Sequence, residues 1–111
     1  MQILEYINAS GVSPFAQWLE KLDPSARARI TVSVLRLEAG NFSAAKGVGA
    51  GIYELRMVLG PGYRVYFGKD GERLVILLGG GTKKRQNSDI EIAQARWQEY
   101  KRNKEPEMRK P

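Results

Sequence analysis

The chain of 111 residues contains no cysteine and no histidine. Without cysteine it has no disulfide framework and no thiolate metal site, which fits a reducing cytoplasm. Without histidine it lacks the commonest metal ligand and the usual general base at neutral pH. Any hydrolytic or nucleolytic reaction must therefore use other side chains, and we expect neither a metal nor another cofactor.

Long hydrophobic runs are absent as well. No segment is long and apolar enough to cross a bilayer, and the N-terminus lacks the basic and apolar regions of a signal peptide. We therefore expect a cytoplasmic protein without membrane contact. The apolar content of 42% is that of a folded chain. The length suits one domain with a real hydrophobic core.

Positive charge is in excess. The net charge is +6, the pI is near 9.8, and half of the 18 lysines and arginines follow residue 80. A basic surface of this kind suits an anionic partner, and nucleic acid is the first candidate.

The segment 51–84 predicts a β-meander, since three alternating runs are separated by two turn signals. Glycine favours tight turns because it adopts positive φ without a steric clash, and Asp-Gly favours hairpins. The turns are Gly60-Pro61-Gly62 and Lys69-Asp70-Gly71, and the strands span about 52–58, 63–68 and 73–79.

Alternation along these strands sorts the side chains between the two faces of the sheet. The apolar residues must pair across the hairpin, because a slip of one residue would bury charges instead. This register places four polar residues together on the opposite face: Glu54, Arg56, Arg64 and Tyr66. Two interpretations stay open, a solvated face whose charges pair across strands or a functional site.

The N-terminal half predicts a strand followed by a helical hairpin. A strand is expected over 1–8, and Ser13-Pro14 and Asp23-Pro24 each start a helix, the second ending near Ala39. The hairpin should pack on one face of the sheet. We interpret 41–51 as a flexible crossover, because its glycines lack the preceding strand and following helix of a phosphate-binding loop.

Three glycines and three cations follow the meander. The glycines, 79–81, would let backbone approach a ligand closely, and the cations are Lys83, Lys84 and Arg85. Asn87 or Ser88 should then cap a helix that ends near Arg102. We expect a single domain over 1–102 and a disordered charged tail over 103–111.

Five motifs carry a family resemblance over about residues 1–102. They are Phe15-x-x-Trp18-Leu19, Gly51-x-Tyr53-Glu54-Leu55-Arg56, Gly60-Pro61-Gly62-Tyr63-Arg64-Val65-Tyr66-Phe67, Leu77-Leu78-x-Gly80-Gly81-x-Lys83 and Gln86-x-x-Asp89-Ile90. With this order of elements, the chain resembles the RelE/ParE superfamily of bacterial toxins, and more narrowly its phage-related addiction-module killer (HigB-like) branch. The resemblance implies an α+β, RelE-like fold: an N-terminal strand, a helical hairpin, an antiparallel three-strand meander completing one small sheet, and a C-terminal helix.

The resemblance also implies a function. It implies the toxin of a type II toxin–antitoxin module, held inactive by a cognate antitoxin that we expect to be a helix-turn-helix protein. RelE-like members enter the ribosomal A site and cut mRNA without a metal, using the ribose 2′-OH to attack its own 3′ phosphate. The implied partners are therefore the antitoxin, the ribosome and mRNA.

The same resemblance suggests roles for individual residues. Arg56, Arg64, Lys83 and Lys84 would hold the phosphate, and Arg85 would join Arg56 and the lysines in binding RNA. Glu54 is the candidate base, and Tyr66 would stack on a nucleobase or share a proton. The chain departs from the family pattern in three places. Glu54 stands where RelE-type members can carry a lysine, and the histidine of some HigB-like relatives is missing. The region directly after the basic segment holds Asp89-Ile90 instead of a tyrosine.

Two other functions fit the same features. A ParE-like inhibitor of DNA gyrase would act by binding protein, and Arg64 and the basic segment would then be interface or solubility residues. A basic relative that binds RNA or the antitoxin and is no longer toxic would need no catalytic group, because a fold alone does not fix a function.

Overall fold

The computed structural model describes residues 1–58 and 60–108, with side chains as far as Lys104. The elements follow the predicted order with one additional strand, β2 (Ala45–Gly49), and the predicted α+β class is confirmed. They are β1 Gln2–Glu5, α1 Pro14–Glu20, α2 Pro24–Glu38, β2 Ala45–Gly49, β3 Ile52–Arg56, β4 Tyr63–Asp70, β5 Leu74–Thr82, a 3₁₀ turn Lys83–Arg85 and α3 Gln86–Met108. In this part of the chain no helix is long and apolar enough to cross a membrane.

One five-stranded sheet has the strand order β1-β5-β4-β3-β2. The meander β3–β5 is antiparallel, and β1 joins β5 in parallel. The predicted register is confirmed, since Glu54 lies opposite Tyr66 and Arg56 lies opposite Arg64. The arrangement is compatible with the RelE-like fold that the resemblance implies.

The interpretation of 41–51 as a flexible crossover is wrong. Residues Ala45–Gly49 form β2, which pairs antiparallel with β3 and sets Lys46 opposite Glu54. The glycines hid this strand, because they supply no alternation of apolar and polar side chains. The strand is held by backbone hydrogen bonds to β3, whose edge would otherwise carry unpaired backbone N–H and C=O groups.

The helical hairpin covers one face of the sheet as predicted. Ser13 Oγ accepts a hydrogen bond from the Ala16 N–H, and Asp23 Oδ1 accepts one from Ala26, so both predicted caps are confirmed. The core beneath the hairpin is apolar and buried: Phe15, Ile30, Leu37, Leu55, Val65, Phe67, Val75 and Leu77.

Helix α3 covers the opposite face. Ala93 and Trp97 pack there with Ile52, Tyr66, Ile76 and Leu78. The helix begins at Gln86 directly after the 3₁₀ turn, and the Ser88 hydroxyl donates back to the Arg85 carbonyl oxygen, so the predicted cap at Asn87 or Ser88 is wrong.

The helix also continues to Met108 instead of ending near Arg102. Lys104, within this extension, forms an ion pair with Asp70 at the end of β4, so this part of the helix contacts the sheet. Residues 103–108 of the predicted tail are thus part of α3, and 109–111 lie outside the described residues.

Side chains of this chain occupy the space next to the three glycines near the end of β5. A Cβ at Gly79, Gly80 or Gly81 would meet Arg96, Trp18 or Asp89, respectively. The prediction that these glycines admit a ligand is therefore corrected. Instead, they allow α1 to pack closely on one face of the strand and α3 on the other, since glycines have no side chains that would keep the helices apart.

Gly80→Ala should lower the free energy of unfolding by about 1–3 kcal/mol, because the new methyl group overpacks the Trp18 ring. Gly47→Ala is the matched control, since its methyl group would lie 4.0 Å from the Tyr53 ring. Urea denaturation followed by circular dichroism measures both. Equal midpoints for the two variants would contradict the packing role of Gly80.

Candidate nucleic-acid interface

Glu54 is the centre of a charged cluster on the α3 side of the sheet. Its carboxylate lies 3.4 Å from Arg64 Nε and 3.7 Å from Arg56 Nε, because the register sets these residues side by side. Gln86 Nε2 donates a hydrogen bond of 2.7 Å to Glu54 Oε2. The structure thus brings together three of the predicted residues, and it adds Gln86, for which no role was predicted.

Arg64 is buried, with 4% of its surface exposed. Its Nη1 donates to the Gly62 carbonyl oxygen at 2.8 Å, and the same oxygen accepts the backbone N–H of Lys83 at 2.9 Å. Arg64 therefore connects Glu54 to the turn that positions Lys83. In this conformation its guanidinium is not open to a phosphate from solvent.

Four exposed cations lie at this end of the sheet. Arg56 ends β3 with half of its side chain exposed. The others form the 3₁₀ turn after β5, which lines a shallow pocket of about 330 Å³. We call this set the basic edge: Arg56, Lys83, Lys84 and Arg85. These side chains reach solvent, so they are able to contact a phosphate directly.

Tyr66 lies opposite Glu54 but does not reach the surface, since 1% of it is exposed. Burial raises the pKa of its hydroxyl, and the carboxylates of Glu54 and Asp89 raise it further. The phenol therefore stays neutral at physiological pH. In this conformation its ring cannot stack on a nucleobase.

A small cavity of about 120 Å³ adjoins Tyr66 beneath α3 and is also lined by Trp18, Asp89 and Arg96. The Tyr66 hydroxyl and Asp89 Oδ2 are buried without a hydrogen-bond partner among the described residues. Burial raises the pKa of Asp89, against the opposing charges of Arg85 and Arg96. Two residues that line this cavity therefore carry buried polar atoms without a partner, and one of them, Tyr66, lies opposite Glu54.

Sequence reasoning gave Gln86, Asp89 and Arg96 no role in the candidate site. A signal for the last two was present, because a strand ending in three glycines must be covered by side chains from elsewhere. Within the described ranges no group of three or more Asp and Glu side chains lies close enough to hold a metal ion. The absence of a cofactor stays a prediction.

The mixed sheet with helices on both faces and a basic edge is an α+β architecture with a surface suited to anions. The family model described as "Phage derived protein Gp49-like (DUF891)" matches residues 17–98. A protein of Haemophilus influenzae, described as an uncharacterized protein, is 46% identical over 86 residues, which are 77% of this chain and 87% of that relative. The chain belongs to the Gp49-like phage-derived protein family.

This family is a toxin-like family of toxin–antitoxin systems, so the coarser part of the resemblance is confirmed. The family match does not distinguish the RelE/ParE superfamily or its HigB-like branch, so the placement of the chain there stays a prediction. The roles assigned to individual residues also stay predictions.

Proposed function

We propose that this protein is the toxin of a type II toxin–antitoxin module and blocks translation as a ribosome-dependent, metal-independent mRNA endoribonuclease in the cytoplasm. Its partners are a cognate antitoxin of the helix-turn-helix class, the ribosome and mRNA. The observation that carries the proposal is the basic edge, held against a buried Glu54–Arg64 pair on neighbouring strands. Membership of a toxin-like phage-derived family supports it.

In the reaction the 2′-oxygen forms a bond to the adjacent phosphorus while the bond from phosphorus to the 5′-oxygen breaks. The products are a 2′,3′-cyclic phosphate and a 5′-hydroxyl. Arg56, Lys83 and Lys84 stabilise the extra negative charge on the phosphorane, and a lysine donates a proton to the departing 5′-oxygen. Removing one such stabilising group typically costs about a hundredfold or more in rate.

The buried residues take supporting roles in this proposal. Arg64 positions Lys83 through the shared Gly62 carbonyl oxygen. Glu54 takes the proton of the 2′-OH only after its hydrogen bond from Gln86 opens. This requirement gives a physical reason for dependence on the ribosome, because the free protein keeps its carboxylate enclosed.

The test is a purified translation system with an added message and mapping of its 5′ ends. We expect the protein to stop synthesis and to cut the message within ribosome-bound codons. The double variant K83A/K84A should restore synthesis, because it removes two charges of the basic edge. Arg73→Ala is the matched control, since this exposed arginine lies in the turn at the other end of β5.

Two outcomes would overturn the nuclease proposal. Normal translation together with accumulation of DNA cleaved by gyrase would assign a ParE-like function. Normal translation without gyrase poisoning would assign a non-toxic protein that binds RNA or the antitoxin. The burial of Glu54, Arg64 and Tyr66 favours this last alternative, because at most 4% of each residue is exposed to solvent.

A further inference from the structure

Helix α2 has an apolar stripe that faces solvent. Its inner side packs on the sheet through Ala26, Ile30 and Leu37. The outer stripe runs through Ala28, Val32, Leu35 and the C-cap Ala39, at intervals of four, three and four residues. Val32 is 47% exposed and Leu35 is 53% exposed. This spacing is that of a coiled-coil seam, in which one helix packs along another.

A groove of about 490 Å³ lies beside this stripe, between α2 and the end of β3. Val32 forms its apolar wall on the helix side, and Met57 and the fully exposed Val58 form the wall on the sheet side. A contiguous apolar surface left open to solvent is typical of an interaction site. The stripe and this groove together are called the α2 groove.

Positive charge flanks the α2 groove. Arg29, Arg36 and Arg56 line it, and among its described lining residues there is no acidic side chain. Neither Arg29 nor Arg36 forms an ion pair with a side chain that the structure describes. Their charges are therefore available to a partner, while Arg56 shares Glu54 with Arg64.

We propose that the α2 groove binds an acidic amphipathic helix of a partner protein, with apolar residues at heptad spacing along α2 and Asp or Glu beside the three arginines. The proposal rests on the proposed function in taking this partner to be the antitoxin. Burial of an apolar helix face supplies affinity, and the charges fix its orientation. Because Arg56 belongs both to this groove and to the basic edge, the bound helix would compete with RNA there.

Two other occupants fit the surface less well. Single-stranded RNA binds by stacking its bases on aromatic rings, and the described residues that line the groove include no aromatic side chain. A second copy of this chain would bring two sets of unpaired arginines together. Like charges in an interface oppose association.

The experiment measures binding of a designed helical peptide of about three heptads, with leucine along one seam and glutamate beside it. Fluorescence anisotropy is read at concentrations at which the peptide alone is monomeric. A scrambled peptide of the same composition controls for attraction to the net charge of +6. We expect the seam peptide to bind at least tenfold more tightly than the scrambled one.

The variants are matched within α2. Val32→Glu should weaken binding of the seam peptide tenfold or more, since it places a charge in the middle of the stripe. Thr31→Glu makes the same change of charge at the exposed neighbouring position, on the flank of the stripe, and should weaken binding less than Val32→Glu, because surface charges interact weakly. Arg36→Glu should weaken binding and reduce its dependence on salt.

Several results would overturn the inference. The first two are equal binding of the two peptides and equal effects of Val32→Glu and Thr31→Glu. Crosslinking of RNA to the protein that Val32→Glu abolishes would assign the groove to RNA. A dimer of the protein alone that Val32→Glu dissociates would assign it to a second copy of the chain. The outcome is separable from the translation assay. Peptide binding without nuclease activity would support the α2 groove as a binding site and contradict the nuclease proposal. Nuclease activity without peptide binding would contradict only the proposal for the α2 groove.

Discussion

Arg64→Ala should lower the free energy of unfolding by about 3–5 kcal/mol, because it leaves a buried carboxylate without its buried partner. Arg56→Ala removes the other arginine from the same carboxylate and should cost less than about 1 kcal/mol. The two guanidiniums lie 3.4 and 3.7 Å from Glu54, but 5% of the Arg64 side chain is exposed against 51% of Arg56. The comparison therefore varies burial while the partner stays fixed.

Urea denaturation of both variants measures this difference. The charge mechanism has its own control, since adding Glu54→Gln to Arg64→Ala removes the uncompensated charge and should recover part of the loss. If the double variant is no more stable than Arg64→Ala, the loss comes from packing or from the bond to Gly62 rather than from the buried charge. If less than half of the Arg64→Ala variant is folded in water, the substitution costs more than the whole free energy of unfolding of the wild type, which is about 5–15 kcal/mol for a domain of this size.

Trp97→Ala should cost about 3–5 kcal/mol, the usual range for deleting a buried aromatic side chain. Trp97 is 5% exposed, and its ring occupies the space above Gly68 that a Cβ would otherwise fill. It also stacks on Tyr100 at a centroid distance of 5.3 Å. The residue thus packs α3 against the sheet.

Ile92→Ala is the control for Trp97, because Ile92 lies on the same helix and is 40% exposed. It should cost about 1 kcal/mol, since a large part of this side chain is already exposed to solvent. Thermal unfolding by circular dichroism orders the variants, and near-ultraviolet spectra report whether α3 still packs. Similar midpoints for the two variants would mean that the sheet does not depend on α3 for its stability.

Local patterns predicted those parts of the fold that depend on local chemistry. Alternation gave the pairing of β3 with β4, because a slip would have moved Glu54 and Arg56 into the apolar core. Serine and aspartate before proline gave the starts of α1 and α2. In contrast, β2 was missed because a glycine-rich edge strand is held by backbone hydrogen bonds, which leave no trace in the side-chain pattern.

The sequence predicted which charged residues lie together on the sheet, and it did not predict that Glu54 and Arg64 are buried. The register placed Glu54, Arg56 and Arg64 together, but it did not say what covers them. The apolar stripe of α3 required a sheet face, and the helical hairpin already occupied the other one. That argument was available from the sequence and would have placed α3, with Gln86 and Asp89, over the polar face.

The parallel pairing of β1 with β5 has a consequence for synthesis of the chain. Gln2 pairs with Leu74, so the N-terminal strand has no partner in the sheet until most of the domain has been synthesised. Contacts so distant along the chain slow folding, because closing the long loop between the two strands costs conformational entropy. The Glu54 cluster is completed later still, because Gln86 follows β5. A nascent chain of this protein therefore carries an open sheet edge and an exposed charged cluster until translation has passed the start of α3.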